Sequence, residues 1–307
     1  MNLFDHRLLV VTGKGGVGRT TASIALALSA ARAGRSVCLL ELNDVHTISQ
    51  RFNLDGSYVP QHLAPNVDVA TLSAFACLDD FGRRKLKMNT LVRLLFDNRV
   101  MRAFVESVPG LGDLLQLGKV EDLVAAPLAG EKRYDLVVVD APATGHGLTL
   151  LSAASSMAEM TLTGPFHDLA DMIQGFLADR DRVGIIVTSL PEELPVNEAL
   201  ELSTALIEQG FPPCAIVVNQ TLAHLRIDDV LWDTVRDHFH EHPTAEVQAL
   251  ARLGDRAATQ LRMQRESLQR LAEAAPIYTL PRTGASPTVS ELLGFGEALQ
   301  PWSEVPS

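Results

Sequence analysis

The chain has 307 residues, 47% hydrophobic and 21% charged, with a formal net charge of -11 and a pI of about 5.3. That is a globular composition with ample core, which excludes a disordered or fibrous chain. The acidic balance repels phosphate backbones, so nucleic acid is not an expected partner. The one dense basic stretch, RRKLK at 83–87, is short and reads as a solvated helix face. Cys38, Cys77 and Cys214 lie far apart without a C-x-x-C pair. A disulfide framework and a zinc site of local cysteine pairs are therefore not expected, whereas reduced thiols in a cytoplasmic compartment are. MNLFDHRLLVVTG lacks the pattern of a signal peptide, and no apolar run approaches the roughly 18–20 residues of a membrane span.

Strand-like and helix-like runs alternate along the chain. RLLVVTG (7–13) is β-branched and apolar and turns on glycine; TTASIALALSAARAG (20–34) is an Ala/Leu-rich helix ended by Gly34. SVCLLEL (36–42), DLVVVDAP (135–142), VGIIVTSLP (183–191), CAIVVNQ (214–220) and IYTLP (277–281) are further strands. VDVATL (67–72) is an edge or additional strand. Near-continuous apolar strands of this kind suit a parallel sheet covered on both faces. The spacing predicts βαβ crossovers and a doubly wound, mostly parallel α/β sheet. Residues 73–133 read instead as helices, too long for an ordinary connection, and predict a helical insert subdomain over one sheet edge within a single 1–307 domain. Residues 155–180 are helical, and 226–275 are helical and charged with glycine or proline breaks. The tail after Trp302 is expected to be loose. HFHEH (238–242) places its histidines at alternate positions of a polar helix, where they cannot share one face, so it reads as solvated surface.

The stretch VVTGKGGVGRTTASIALAL (10–28) fits two phosphate-binding patterns. Gly13, Gly15 and Gly18 spell G-x-G-x-x-G, the dinucleotide fingerprint, and Glu41 near the end of the second strand stands about where an acidic residue would hold a ribose. The same residues spell a P-loop, G-x-x-x-x-G-K-T, with Arg19 in place of lysine. The P-loop accounts for more. A threonine at position 20 or 21 can ligate Mg²⁺, whereas a dinucleotide fold needs neither the basic residue nor the hydroxyl. DAPATGHGLTLL (140–151) adds a second motif: Asp140 ends a strong strand, as the acidic residue that holds Mg²⁺ through water does, and the glycine-containing loop beyond it suits a γ-phosphate switch.

GKGGVGRTT resembles the deviant P-loop of the MinD/ParA/ArsA class of ATPases, and DAPATGH resembles switch II of its arsenite-pump and tail-anchored-protein-targeting branch. PGLGDLLQLGK (109–119) and VTSLPEELPVNEALEL (187–202) resemble segments of bacterial ArsA-type proteins, so that the likeness runs from about residue 7 to 295. This resemblance implies a P-loop NTPase fold and a cytoplasmic ATPase that binds ATP and Mg²⁺ between two subunits. Lys14 would reach across that interface to the partner's phosphates. The backbone of Gly13, Gly15, Gly16, Val17, Gly18, Arg19, Thr20 and Thr21 would cradle phosphate at a helix N-terminus. Thr20 would ligate Mg²⁺ directly and Asp140 through water. Pro142 would sit in switch II, Asn219 would read the adenine edge, and Pro281 and Arg282 would flank the base. The resemblance also places switch I at LLELNDVHTISQ. There Asn43 stands where the family has a water-orienting aspartate, with Asp44 beside it.

Arg19 and Asn43 depart from the family pattern. Arginine keeps the charge but is bulkier and planar, and asparagine can orient water but cannot take its proton. Arsenite is not an expected ligand, because the three cysteines are not clustered and Cys38 falls in a core strand. Three readings stay open: an ArsA-like ATPase, homodimeric or paired with a paralogue, that couples nucleotide-driven closure to a protein client; a hydrolysis-impaired nucleotide-binding regulatory subunit; and an NAD-binding dehydrogenase.

Overall fold

The computed structural model of the chain describes residues 3–85, 103, 105–125, 134–141, 146–222, 229–241, 244–283 and 287–302. The segments RRKLK beyond Lys85, ATG of the switch II loop, Pro142, His242 and the tail after Trp302 lie outside the described residues.

The apolar runs form a nine-stranded sheet. In chain order its strands are β1 (Leu8–Gly13), β2 (Val37–Glu41), β3 (Gln61–Ala64), β4 (Val67–Thr71), β5 (Leu136–Asp140), β6 (Val183–Ser189), β7 (Pro213–Thr221), β8 (Ile277–Pro281) and β9 (Gln300–Pro301). They are arranged β3-β4-β2-β5-β1-β6-β7-β8-β9. All neighbours are parallel except β3–β4 and β8–β9 at the two edges. β4 is thus one strand in from the edge. β3 and β9 carry no strand signal in the sequence, because QHLA is short and half polar and QP is only two residues long. The strand order reverses at β1, which has β5 on one side and β6 on the other. In doubly wound sheets this is where ligands bind, beyond the C-terminal ends of the strands.

The strands β1, β2 and β6 are buried over their full length, and their alternate side chains feed two cores. Leu9, Val11, Leu39 and Val138 enter one core with α1 (Arg19–Arg32) and the C-terminal helix Val289–Ala298. α1 is apolar on nearly every side because it lies between the sheet and that helix; Ser29 Oγ donates to Gly296 O at 2.9 Å between them. Leu8, Val10, Leu40 and Val139 enter the other core. There the helices α3 (Ala74–Lys85), α4 (Leu111–Ala125), α5 (His146–Met160), α6 (Pro165–Ala178) and α7 (Glu193–Glu208) gather. α2 (Thr47–Arg51) follows β2.

α3 and α4 belong to the stretch 73–133. In its described part Leu111, Leu114, Leu115, Leu117 and Val120 join the same cluster as the sheet residues Val137 and Val139. A stacked Phe81–Phe166 pair, centroids 5.8 Å apart, ties α3 to α6. The helical stretch read at 155–180 is two helices. They part at Gly164, whose φ of 109° suits glycine, before Pro165 at the first helical position. The stretch read at 226–275 is α8 (Asp229–Glu241) and α9 (Ala245–Ala272). Gly254 does not break α9. A Cβ there would lie 1.7 Å from the Trp232 ring, so the glycine lets α8 pack closely.

Candidate nucleotide site

The P-loop lies at the sheet's reversal point. β1 ends at Gly13 and α1 begins after Gly18, with Gly15 and Gly16 exposed between them and Val17 buried. Gly16 and Gly18 take φ of 83° and 87°, values that an L side chain resists. Gly18 is held for a second reason: a Cβ there would meet Asn219 Nδ2 at 2.1 Å. That amide donates to Val17 O at 3.2 Å, so buried Asn219 at the end of β7 props the loop from behind. α1 has no side-chain cap, and the N–H groups of its first turn face the loop. Such a terminus favours an anion through its unpaired donors and its dipole.

Asp140 completes the centre. It ends β5, the strand beside β1, and its carboxylate accepts from Thr20 Oγ1 at 2.7 Å and from Ser23 Oγ at 3.1 Å. Thr20 and Ser23 are three apart on α1 and share a face. Burial pushes the Asp140 carboxyl above its ordinary value; Thr20, the Arg19 guanidinium and Ser23 each oppose that shift. A hydroxyl and a carboxylate in contact are the hard oxygen donors that Mg²⁺ takes, so these residues fit that ion. Ser23 was not singled out from the sequence, although its spacing from Thr20 was the available signal.

The two basic residues of the loop part company. Arg19 Nη1 donates to Ala141 O, just beyond Asp140, and thereby ties the start of α1 to the end of β5. Burial draws the guanidinium below its usual value, and Asp140 pulls it back. Lys14 turns the other way. Its ammonium is half exposed, 3.9 Å from Glu198 Oε1 on α7, a pair too long and too wet to hold it firmly. A cavity of about 220 Å³ opens beside it, between the loop and Glu198 and Glu201, with Thr12, Gly147 and Leu202 on its walls. Gly147 is required there, since a Cβ would meet Thr12 Oγ1 at 2.0 Å.

The chain leaves β2 through Asn43 and Asp44, the residues expected in switch I, both exposed and both in the left-handed region, at φ 57° and 54°. Asn43 is bound by Gln116 of α4: its N–H donates to Gln116 Oε1 at 2.8 Å, and its Oδ1 accepts from Gln116 Nε2 at 2.7 Å. Asp44 N–H donates to Leu72 O at 3.2 Å. Of the base-side candidates, Pro281 ends β8, and exposed Arg282 donates its N–H to Thr221 O at 2.8 Å, which joins the ends of β7 and β8 near Asn219.

Glu41 does not serve a ribose. It is 1% exposed, and its carboxylate is occupied by Ile48 N–H at 2.6 Å, Ser49 N–H at 3.1 Å and Ser49 Oγ at 2.8 Å. It caps α2, which removes the residue on which the dinucleotide reading leaned. No disulfide joins the cysteines. Cys38 lies inside β2, and burial pushes the thiols of Cys77, on α3, and Cys214, on β7, up to about 12. Among the described residues no group of three His, Cys, Asp or Glu side chains could hold a metal ion, and no helix is long and apolar enough to cross a membrane.

The chain is similar to known proteins. The profile of the anion-transporting ATPases (ArsA) matches residues 6–167, which span the P-loop, switch I, α4 and Asp140. The ATPase BagA of Mycobacterium tuberculosis is 30% identical over 241 residues, 73% of this chain and 68% of that protein. An ATPase ASNA1 homolog of Paramecium tetraurelia is 28% identical over 263 residues, 72% and 78% of the two chains. The arsenical pump-driving ATPase of Escherichia coli is 27% identical over 229 residues, 71% of this chain but 35% of that longer protein. By the profile match and these relatives, the chain belongs to the anion-transporting ATPase (ArsA) family and is an ATPase.

Proposed function

We propose that this ATPase binds Mg-ATP between two subunits and uses binding and hydrolysis to close and reopen that pair, passing the motion to a protein client in the cytoplasm. The division of the loop's two cations carries the reading. Arg19 faces its own Asp140 end of the site, while Lys14 stands half exposed beside Glu198 at the edge of the cavity. A lysine placed there is free to serve phosphates bound by a second subunit. Thr20 would hold Mg²⁺, with Asp140 behind it through water. The ion would neutralise charge on the β- and γ-phosphates. The chain's own part is to cradle phosphate with the N–H groups from Gly13 to Thr21, to shelter the base near Asn219, Pro281 and Arg282, and to orient water with Asn43 or Asp44. Pro142 follows Asp140 in the switch that would sense the γ-phosphate. The subunits are two copies of this chain or this chain and a paralogue, and the helical insert 73–133 faces the client. The acidic net charge argues against nucleic acid as that client.

Steady-state ATP hydrolysis across protein concentration, with light scattering, tests the reading. The expected result is activity that requires Mg²⁺, a specific rate that rises and saturates with concentration, a mass that doubles with ATP, and loss of turnover in Lys14→Ala. Full turnover by a monomer, or by Lys14→Ala, would refute the shared site. ATP binding without turnover in the wild-type chain alone, restored by a paralogue, would make it the regulatory subunit.

A further inference from the structure

We propose that Gln116 is a positioning residue for ATP hydrolysis: it fixes the amide of Asn43 and makes the geometry of switch I depend on helix α4. The proposal rests on the reading of Asn43 as the residue that faces the attacking water.

Gln116 is fully buried in an otherwise apolar stretch, between Leu115 and Leu117. A buried amide is costly unless it is satisfied, and this one is. Its Oε1 accepts from Asn43 N–H, and its Nε2 donates to Asn43 Oδ1 and, at 3.2 Å, to Gly112 O. The pairing removes the usual ambiguity of amide orientation. A backbone N–H can only donate, so the Gln116 atom facing it is the oxygen. The other Gln116 atom is then a donor, and the Asn43 atom facing that donor is Oδ1. The remaining atom, Asn43 Nδ2, is thereby turned away from Gln116. One buried residue decides which end of the switch I amide is presented to the site.

The loop needs such a hold. Two successive non-glycine residues, Asn43 and Asp44, sit in the left-handed region, a conformation that persists only where the surroundings over-determine it. Gln116 supplies two of the bonds that do so. One turn further on, α4 is itself anchored. Lys119 Nζ lies 3.0 Å from Asp80 Oδ2 of α3, Tyr58 OH donates to the same oxygen at 2.9 Å, and the ammonium sits 5.2 Å from the Tyr58 ring centroid. Lys119 is only 9% exposed. Buried ion pairs of this kind fix register more than they add stability. α4 therefore holds α3 through Lys119 and switch I through Gln116, and a shift of the helical layer changes the pose of Asn43.

The test is ATPase kinetics with equilibrium ATP binding and thermal melting for Asn43→Ala, Gln116→Leu, Gln116→Glu and the Asn43→Ala/Gln116→Leu pair. Gln116→Leu is expected to lower kcat about tenfold or more while Kd for ATP moves less than about threefold, a pattern that marks an interaction made in the transition state. The double variant should be no slower than the slower single one, since both remove the same geometry. Gln116→Glu keeps the acceptor for Asn43 N–H and, assayed at a pH where its carboxylate is ionised, loses the donor to Oδ1, so it should lose kcat there. Multiplying effects, or a Gln116→Leu defect confined to Kd and melting temperature, would overturn the positioning role. If Gln116→Leu does not fold, Gln116→Glu decides alone, and wild-type kcat in that variant sinks the proposal. Wild-type kcat in Asn43→Ala would overturn the switch I reading and this proposal together. A slow Asn43→Ala beside an unaffected Gln116→Glu would overturn this proposal only.

Discussion

At the C-terminal ends of two neighbouring strands the molecule holds two polar residues by different means. Asp140, at the end of β5, is held by Thr20 and Ser23, both from the first turns of α1 and both inside or beside the glycine motif. Asn43, just past β2, is held by Gln116, 73 residues away on α4. Both holds are long-range products of the fold, 120 and 73 residues apart, but the first joins residues of two motifs and the second brings in a residue to which no motif assigns a role. On the phosphate side of the proposed site, the strand-end carboxylate meets the helix that the glycine motif opens. Tertiary packing decides the pose of the water side.

The largest expected effect lies on the phosphate side. Gly18→Ala would force a Cβ against Asn219 and hold a side chain at φ 87°. We expect ATP binding to weaken on the order of 100-fold, the equivalent of about 3 kcal/mol, as read by titration with a labelled nucleotide. Combining it with Asn219→Ala should recover part of the loss, because that removes the collision and leaves the backbone strain. No recovery would mean that the backbone angle alone sets the loop. On the switch I side, Glu41→Gln should cost about 3 kcal/mol of folding stability, since an amide cannot accept from Ile48 N–H, Ser49 N–H and Ser49 Oγ together. Denaturant melts would show it. A variant of unchanged stability but altered nucleotide preference would instead revive a ribose-binding role for Glu41.

The same contrast explains what could be read from the amino acids. The central strands were legible because strands buried on both faces must be apolar throughout, as in LLVVTG and LVVVD. The P-loop was legible because phosphate binding needs glycine at fixed intervals. β3 was not, since QHLA lies on an edge and carries no such demand. Glycine followed by proline marks the helix boundary at Gly164–Pro165, yet 155–180 reads as one helical stretch in the sequence, and the helix from His146 starts inside the switch motif, ahead of that stretch. Glu41 was noticed for the wrong role: its position at a strand end is the same whether it meets a ribose or caps a helix, and only the fold brings α2 over it. Gln116 had a signal, one amide among leucines, but a buried polar side chain announces a partner without naming it. The role of Arg19 needed the structure too, because arginine reaches the Ala141 carbonyl through its length, a distance that no motif records.

The smallest predicted effect separates stability from function at Asp140. Burial raises its folded-state pKa above the unfolded value near 3.8. The folded chain therefore binds that proton more tightly than the unfolded chain. The resulting contribution is fully present below the ordinary carboxylate range and is lost as pH rises through the raised folded value. At neutral pH an ionised Asp140 is thus a cost to the fold, offset in part by Thr20, Arg19 and Ser23. Asp140→Asn should melt about 2–4 °C higher than the parent at pH 8, a gap that closes toward pH 4, while ATP turnover is lost. A gap that widens toward acid would show that the Thr20 and Ser23 bonds outweigh desolvation, with the folded pKa depressed rather than raised. An equal melting temperature at every pH would place Asp140 in water-like surroundings and remove the desolvation cost of its carboxylate.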